Sequence, residues 1–245
     1  MSITSHKVAA LSDTGRIRSH NEDRIAYTKT KYGDLWIVCD GMGGHQAGEK
    51  AAELAIEAIL DFFSRTSFMP PANLLEKALF EANAAIYKIA QAYPQYRKMG
   101  TTCVLALYQH PRVYYAHVGD SRLYYYHQGQ LYQKTMDHSY VQFLVSQGIL
   151  TPQEAEYHPR RNIILRALGV ASRPEPEVAP EPISVTTGDI ILLCSDGLNS
   201  MLTHEEIQTI LETPDIPEVK AQRLIDSANA AGGDDNISVV LVEFS

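Results

Sequence analysis

Four aspartates of this chain share one local context. Asp40 lies in Cys39-Asp40-Gly41, Asp120 in Gly119-Asp120-Ser121, Asp196 in Ser195-Asp196-Gly197 and Asp235 in Gly233-Asp234-Asp235-Asn236. Each stands at the edge of an apolar, β-rich run, with glycine beside or just before it. A single Asp next to Gly is ordinarily a turn residue. Four of them at strand ends can do more, because a rigid sheet can converge side chains from its ends on one point. Carboxylates brought that close cannot all stay ionised unless cations offset their repulsion. All-oxygen ligation, with no Cys or His cluster, selects Mg²⁺ or Mn²⁺ over Zn²⁺. Two such ions sharing a carboxylate suit hydrolysis of a phosphate ester by a bridging water, since they acidify the water and neutralise the phosphoryl oxygens. Such help is needed where enzymes must accelerate monoester hydrolysis by up to ~10²¹.

Two further segments carry candidate chemistry. Arg18-Ser-His-Asn-Glu22-Asp23 offers a guanidinium suited to a bidentate grip on phosphate, although a solvated, charged turn between strands has the same composition. Asp40-Gly-Met-Gly-Gly-His45 is a glycine-rich turn leading into a helix. It lacks the Lys-Ser/Thr of a nucleotide-binding loop. His45 suits a general acid by its ordinary pKa near 6.5, and equally a residue at a helix N-terminus with no catalytic part.

The elements that must position these groups follow from the apolar periodicity. Residues 46–66 place Ala51, Ala55, Ala58, Ile59 and Phe62 on one helical stripe, and residues 72–91 do so with Leu75, Leu79, Ala82, Ile86 and Ile89. Pro70-Pro71 divides them, so they are expected to pack as neighbours. Strands are predicted at 35–39, 102–107 and 113–118, the last two flanking His110-Pro111. Residues 122–126 and 130–134 flank Gln128-Gly129 as a hairpin, and 190–194 and 237–244 are further strands. Thr151-Pro-Gln-Glu154 and Thr203-x-x-Glu206 read as helix-opening capping boxes, and a last helix over 217–230 should stop at Gly232. The proline-rich stretch 172–182 is expected to be an extended surface segment inside one domain. Paired strands with helices grouped apart predict an α+β domain of mainly antiparallel sheets.

The totals narrow the function. The chain has 245 residues, 45% hydrophobic, enough for one large domain. A net charge of -8 without a basic run argues against a nucleic-acid partner. No apolar run reaches the roughly 18 to 20 residues a membrane span requires, and the first seven residues lack a signal-peptide core. Cys39, Cys103 and Cys194 read as buried thiols of a reducing compartment, so a cytoplasmic location is expected.

The ordered motifs resemble those of the bacterial PPM (PP2C-type) serine/threonine protein phosphatases. They are Arg18-Ser-His-Asn-Glu-Asp23, Val38-Cys-Asp-Gly-Met-Gly-Gly-His45, Gly100-Thr-Thr102, Val118-Gly-Asp-Ser-Arg122, Asp137-His-Ser139, His158-Pro-Arg-Arg-Asn162, Arg166-Ala-Leu-Gly169, Leu193-Cys-Ser-Asp-Gly-Leu198 and Asp235-Asn-Ile237. The resemblance spans residues 8 to 244. It implies a four-layer α-β-β-α sandwich, two antiparallel sheets flanked by helix pairs, as a single domain over 1–245 with a flap at about 148–167. It implies a centre of two to three Mg²⁺ or Mn²⁺ ions. Asp40 would bridge two of them, with the Gly41 carbonyl on the second; Asp196 and Asp235 would complete the first site, and Asp120 with Asp196 would hold a third. Arg18 would bind the substrate phosphate, His45 would serve as general acid and Arg161 of the flap would meet the substrate. Glu22, Asp23 and Asn236 would act from behind the ligands. His20 stands where the family commonly has Asn.

The implied activity is hydrolysis of phosphoserine and phosphothreonine in phosphorylated proteins by a monomer. The alternatives are a non-catalytic phosphoprotein-binding module of the same fold and a metal-dependent nuclease or phosphodiesterase.

Overall fold

The structure is a computed structural model and describes residues 5–44 and 46–245. The chain opens with β1 (His6–Asp13), β2 (Arg24–Thr30), β3 (Gly33–Cys39) and the short β4 (Gly41–Met42). Two long helices follow, α1 (Gln46–Arg65) and α2 (Pro71–Ala92). Next come β5 (Gly100–Thr101), β6 (Cys103–Gln109), β7 (Arg112–Val118), β8 (Arg122–His127) and β9 (Gln130–Gln133). The short helices α3 (Tyr140–Ser146) and α4 (Pro152–Glu156) precede β10 (Glu177–Val178), β11 (Ile183–Ser184) and β12 (Ile190–Cys194). The last elements are α5 (Asp196–Asn199), α6 (His204–Glu212), α7 (Pro217–Ala230) and β13 (Ile237–Phe244).

Two antiparallel sheets result, one ordered β1-β13-β12-β8-β9 and the other β10-β7-β6-β3-β2, with β11 also on β7. The central strands read as unbroken apolar runs because both of their faces are buried. Leu35, Ile37 and Cys39 of β3 face α1 and α2, in a core with Ala51, Ala55, Ile59, Leu75, Leu79 and Ile86. Trp36 and Val38 of the same strand point the other way, into a core between the sheets with Ile191, Leu193, Val240 and Val242. The alternate residues of β12, Ile190, Leu192 and Cys194, pack instead on Ile207, Leu224 and Ala228 of α6 and α7. Three cores between four layers make the expected α-β-β-α sandwich.

Local signals act as predicted. Gln128 and Gly129 both take positive φ (50° and 79°), the backbone that a two-residue hairpin between β8 and β9 requires. Both capping boxes are formed, at Thr151–Glu154 and Thr203–Glu206. The 172–182 stretch contributes β10, which pairs with β7 at the sheet edge. All three cysteines are buried and free.

Candidate active site

The antiparallel order puts the functional loops at one end. β3 and β7 both pair antiparallel with β6, so they run parallel and deliver Asp40 and Asp120 to the same side. In the other sheet the C-terminus of β12 lies beside the N-terminus of β13, where Ser195 N–H donates to the Ser238 carbonyl at 3.1 Å. Asp196 leaves β12 there and Asp235 enters β13. Gly197 allows the two loops to touch, since a Cβ at this position would collide with the Asn236 carbonyl. The chain crosses from the second sheet to the first through Gly119-Asp120-Ser121.

Hydroxyls and one amide hold these loops. Thr102 Oγ1 accepts from the Asp40 N–H at 3.1 Å and lies 2.6 Å from Ser121 Oγ, while Thr101 Oγ1 donates to the Asp40 carbonyl at 2.8 Å. Ser195 Oγ donates to Asp23 Oδ2 at 2.7 Å and accepts from the Ser238 N–H at 2.9 Å. Asn236 binds the N-terminal loop, donating to the Thr14 and His20 carbonyls at 2.9 Å each and accepting from the Glu22 N–H at 2.8 Å. Its own N–H donates to Asp235 Oδ1 at 2.8 Å.

The electrostatics are those of a crowded anionic site. Burial, and then Asp23, Asp196, Asp120 and Asp235, push the Asp40 carboxyl well above the usual carboxylate range. Burial, followed by Asp196 and Asp137, pushes Asp120 up to about 8. Asp196 is raised to about 6, mainly by burial and by Asp235, with a hydrogen bond to Asp40 and the Arg18 charge opposing. Asp23 is raised to about 7 by burial, against hydrogen bonds from Ser195 and Ser238. Oδ1 of Asp23, of Asp120 and of Asp196 is buried without a hydrogen-bond partner among the described residues. An orphaned carboxylate oxygen away from water costs free energy that a hard cation would recover. The donor set is all oxygen, so these residues fit Mg²⁺ or Mn²⁺.

Arg18 pairs with Asp235, Nη2 to Oδ2 at 2.7 Å, both side chains partly exposed. Gly41 sits in β4, opposite Thr101 of β5. Arg161 lines a cleft of about 550 Å³ together with Asp120, Asp196 and His204. His45 lies outside the described residues. The expected residues at Asp23, Asp40, Asp120, Asp196 and Asp235 thus meet at one end, with Glu22 and Asn236 behind them. Arg161 stands off on the cleft wall formed by residues 141–162.

Sequence reasoning assigned no part to Thr101, Thr102, Ser195 or Asp137. Asp137 lines the same cleft and clamps Arg122 bidentately, Nε to Oδ1 at 2.9 Å and Nη2 to Oδ2 at 2.7 Å. A polar residue between an apolar run and a candidate ligand marks Ser195, whereas Thr102, at the start of its run and far in sequence from any candidate ligand, carries no such signal. The helix α3 was also unforeseen, although Ser139-x-x-Gln142 has capping-box spacing and Ser139 does cap it.

Residues 16–227 match the protein phosphatase 2C family. The serine/threonine phosphatase stp of Listeria welshimeri is 40% identical over 237 residues, which are 95% of this chain and 93% of that protein. The solved serine/threonine phosphatase of S. agalactiae superposes with a TM-score of 0.92 at 36% identity, covering 98% of this chain and 100% of the other. The catalytic domain of the phosphatase PstP, crystallised in complex with two manganese ions, superposes with a TM-score of 0.86 at 36% identity over 98% of each chain.

Proposed function

This chain belongs to the protein phosphatase 2C family and is a metal-dependent serine/threonine protein phosphatase, and from that premise we propose how its own residues carry the reaction. Asp40 and the Gly41 carbonyl, with Asp196 and Asp235, would hold two Mg²⁺ or Mn²⁺ ions, and Asp120 with Asp196 would hold a third. When bound, these ions supply an acidified water and neutralise the phosphoryl oxygens. Arg18 exchanges its bond with Asp235 for the phosphate of the substrate, a dianion its planar fork matches. Asp23 and Ser195 fix the loops behind the ligands, and Asn236 ties Asp235 to the loop carrying Glu22. His45 protonates the leaving alkoxide, an assignment that rests on its chemistry alone.

The cleft next to Asp120 and Asp196 takes the peptide around the phosphorylated residue, with residues 148–167 as a flap and Arg161 meeting acidic or phosphorylated side chains. The charge of -8, without a basic stripe, favours phosphoproteins over nucleic acid as partners. Among the described residues no helix is long and apolar enough to cross a membrane. We place the enzyme in the cytoplasm as a single-domain monomer that binds no membrane.

The observation that carries the reading is the set of buried, orphaned aspartate oxygens at one end of the sandwich. A non-catalytic binding module has no use for them. Phosphate release from phosphothreonine, phosphotyrosine and diester substrates, with and without Mn²⁺, tests it alongside Asp196→Ala. Mn²⁺-dependent hydrolysis of the phosphothreonine peptide, abolished in the variant, is expected. Absence of metal-dependent release from every substrate would overturn the reading, and preference for the diester would replace it with a phosphodiesterase.

A further inference from the structure

Gly119 is squeezed between two side chains. Its φ is +104°, and a Cβ here would collide with Thr102, which also holds Asp40. On the other side one residue takes both of its backbone polar groups. The His138 N–H donates to the Gly119 carbonyl at 3.0 Å, and the Gly119 N–H donates to His138 Nδ1 at 3.2 Å. Asp120 follows directly, with its buried, orphaned Oδ1.

His138 is itself held from behind. Its ring stacks on His117 at 4.5 Å and 22°, and His117 Nε2 lies 2.8 Å from the Met136 carbonyl. Its Nε2 lies 3.4 Å from Glu177 Oε2 and 3.4 Å from Arg166 Nη1. Its carbonyl accepts the Leu165 N–H at 2.7 Å. The C-terminal end of the flap therefore reaches the Asp120 loop through His138 and the Asp40 loop through Thr101, for three residues later Leu168 bridges to Thr101, which bonds the Asp40 carbonyl. Burial, with His117 and Arg166, pushes the His138 pKa down to about 4, so the ring is neutral and keeps a lone pair for Gly119.

We infer that His138 is a positioning residue, which sets the Gly119 turn through Nδ1 and thereby the affinity of the ion held between Asp120 and Asp196. This rests on the reading that Asp120 is a metal ligand. A rival use of the same group is a metal site, because ligand atoms of His117, His138 and Glu177 all lie within 4.8 Å of one another. The bookkeeping of nitrogens opposes it. Neutral His138 has one lone pair, Gly119 occupies it, and Nε2 carries the proton and faces a guanidinium.

The test uses metal-stripped enzyme titrated with Mn²⁺, free ion being followed by electron paramagnetic resonance. His138→Leu removes the acceptor, His138→Asn restores an acceptor at the δ position, and His138→Gln places one only at the ε position. His138→Leu and His138→Gln should weaken the weakest Mn²⁺ step about 10- to 100-fold, the range for residues that orient metal ligands, and leave the tighter steps unchanged. His138→Asn should return that step to near the wild-type value. If His138→Leu does not fold, the contrast between Asn and Gln decides, and equal weakening by both would overturn the positioning role. Asp120→Asn separates the two layers of the argument. Loss of the weak step there but not in His138→Leu sinks the inference, whereas an unchanged weak step in Asp120→Asn sinks the ligand reading beneath it. Stoichiometric Zn²⁺ binding to the wild type that His117→Ala abolishes would establish the rival metal site and overturn the assignment.

Discussion

β12 carries an aspartate with a buried carboxylate oxygen just beyond each of its ends, and the two are treated in opposite ways. Asp189, ahead of the strand, is closed off by donors: Tyr125 Oη at 2.8 Å, His127 Nδ1 at 2.7 Å and the Thr186 N–H at 2.7 Å, with Thr186 Oγ1 at 3.2 Å. Asp196, beyond the strand, shares its surroundings with Asp40, Asp120 and Asp235 and keeps an oxygen that none of the described residues satisfies. Same residue type, same strand, Asp189 buried and Asp196 half-buried at the cleft: what differs is whether the protein completes the coordination or leaves it for a cation. A closed carboxylate is architecture. An open, crowded one is a binding site held ready at some cost in stability, as functional sites often are.

The largest break in this comparison is catalytic. Asp196→Ala should lower Mn²⁺-dependent release of phosphate from a phosphothreonine peptide by about 10³-fold, equivalent to roughly 4 kcal/mol of lost barrier lowering. Asp189→Asn should leave that rate within about twofold. In urea unfolding of metal-free protein the order inverts. Asp189→Ala leaves the Tyr125 hydroxyl and Thr186 amide without their acceptor and should cost about 2 kcal/mol. In a thermal scan of the same metal-free protein, Asp40→Asn removes a repelled carboxylate and should raise the melting temperature by about 3 °C, as expected for ~1 kcal/mol in a chain of this size.

The pH dependence sharpens the same contrast. Asp196, Asp23 and Asp120 have folded pKa values of about 6, 7 and 8, raised above an ordinary value of 3.8. The folded state therefore holds more protons than the unfolded one between those limits, so stability falls as pH rises. Thermal unfolding in EDTA should show the melting temperature declining from about pH 4 to pH 8, and saturating Mn²⁺ should flatten that decline by taking the place of the protons. A flat EDTA profile would mean that the carboxylates do not crowd as described. The smallest effect is expected at Ser195→Ala, which frees Asp23 and the Ser238 amide. Mn²⁺ affinity should drop about tenfold by calorimetry, with the fold intact by circular dichroism.

Much of the fold is legible because periodicity and burial are local facts. The stripe Ala51–Ala55–Ile59–Phe62 reports a helix against a sheet, and the run 190–194 reports a strand covered on both sides. β1 and β2 were less legible. β2 is a half-exposed edge strand whose pattern, from Arg24 to Thr30, is too polar to stand out. The short β10 and β11 depend on β7 being next to them, which no window of ten residues contains.

For the site, sequence by itself determined which groups exist and what metal chemistry they allow: Asp40, Asp120, Asp196 and Asp235, each with glycine near, offer only oxygen ligands. Tertiary structure alone decided that the strand directions bring all four to one end. It also decided that Asn236 ties Asp235 to the Glu22 loop, and that His138 faces Gly119 while Asp137 is spent on Arg122. The reason is range. Residue type and spacing determine a group's chemistry and its face on an element, but convergence depends on strand pairings such as Val38 with Val104 and Cys194 with Val239, partners far apart in the sequence. Whether a buried carboxylate is closed, like Asp189, or open, like Asp196, depends on which donors that pairing brings within about 3 Å.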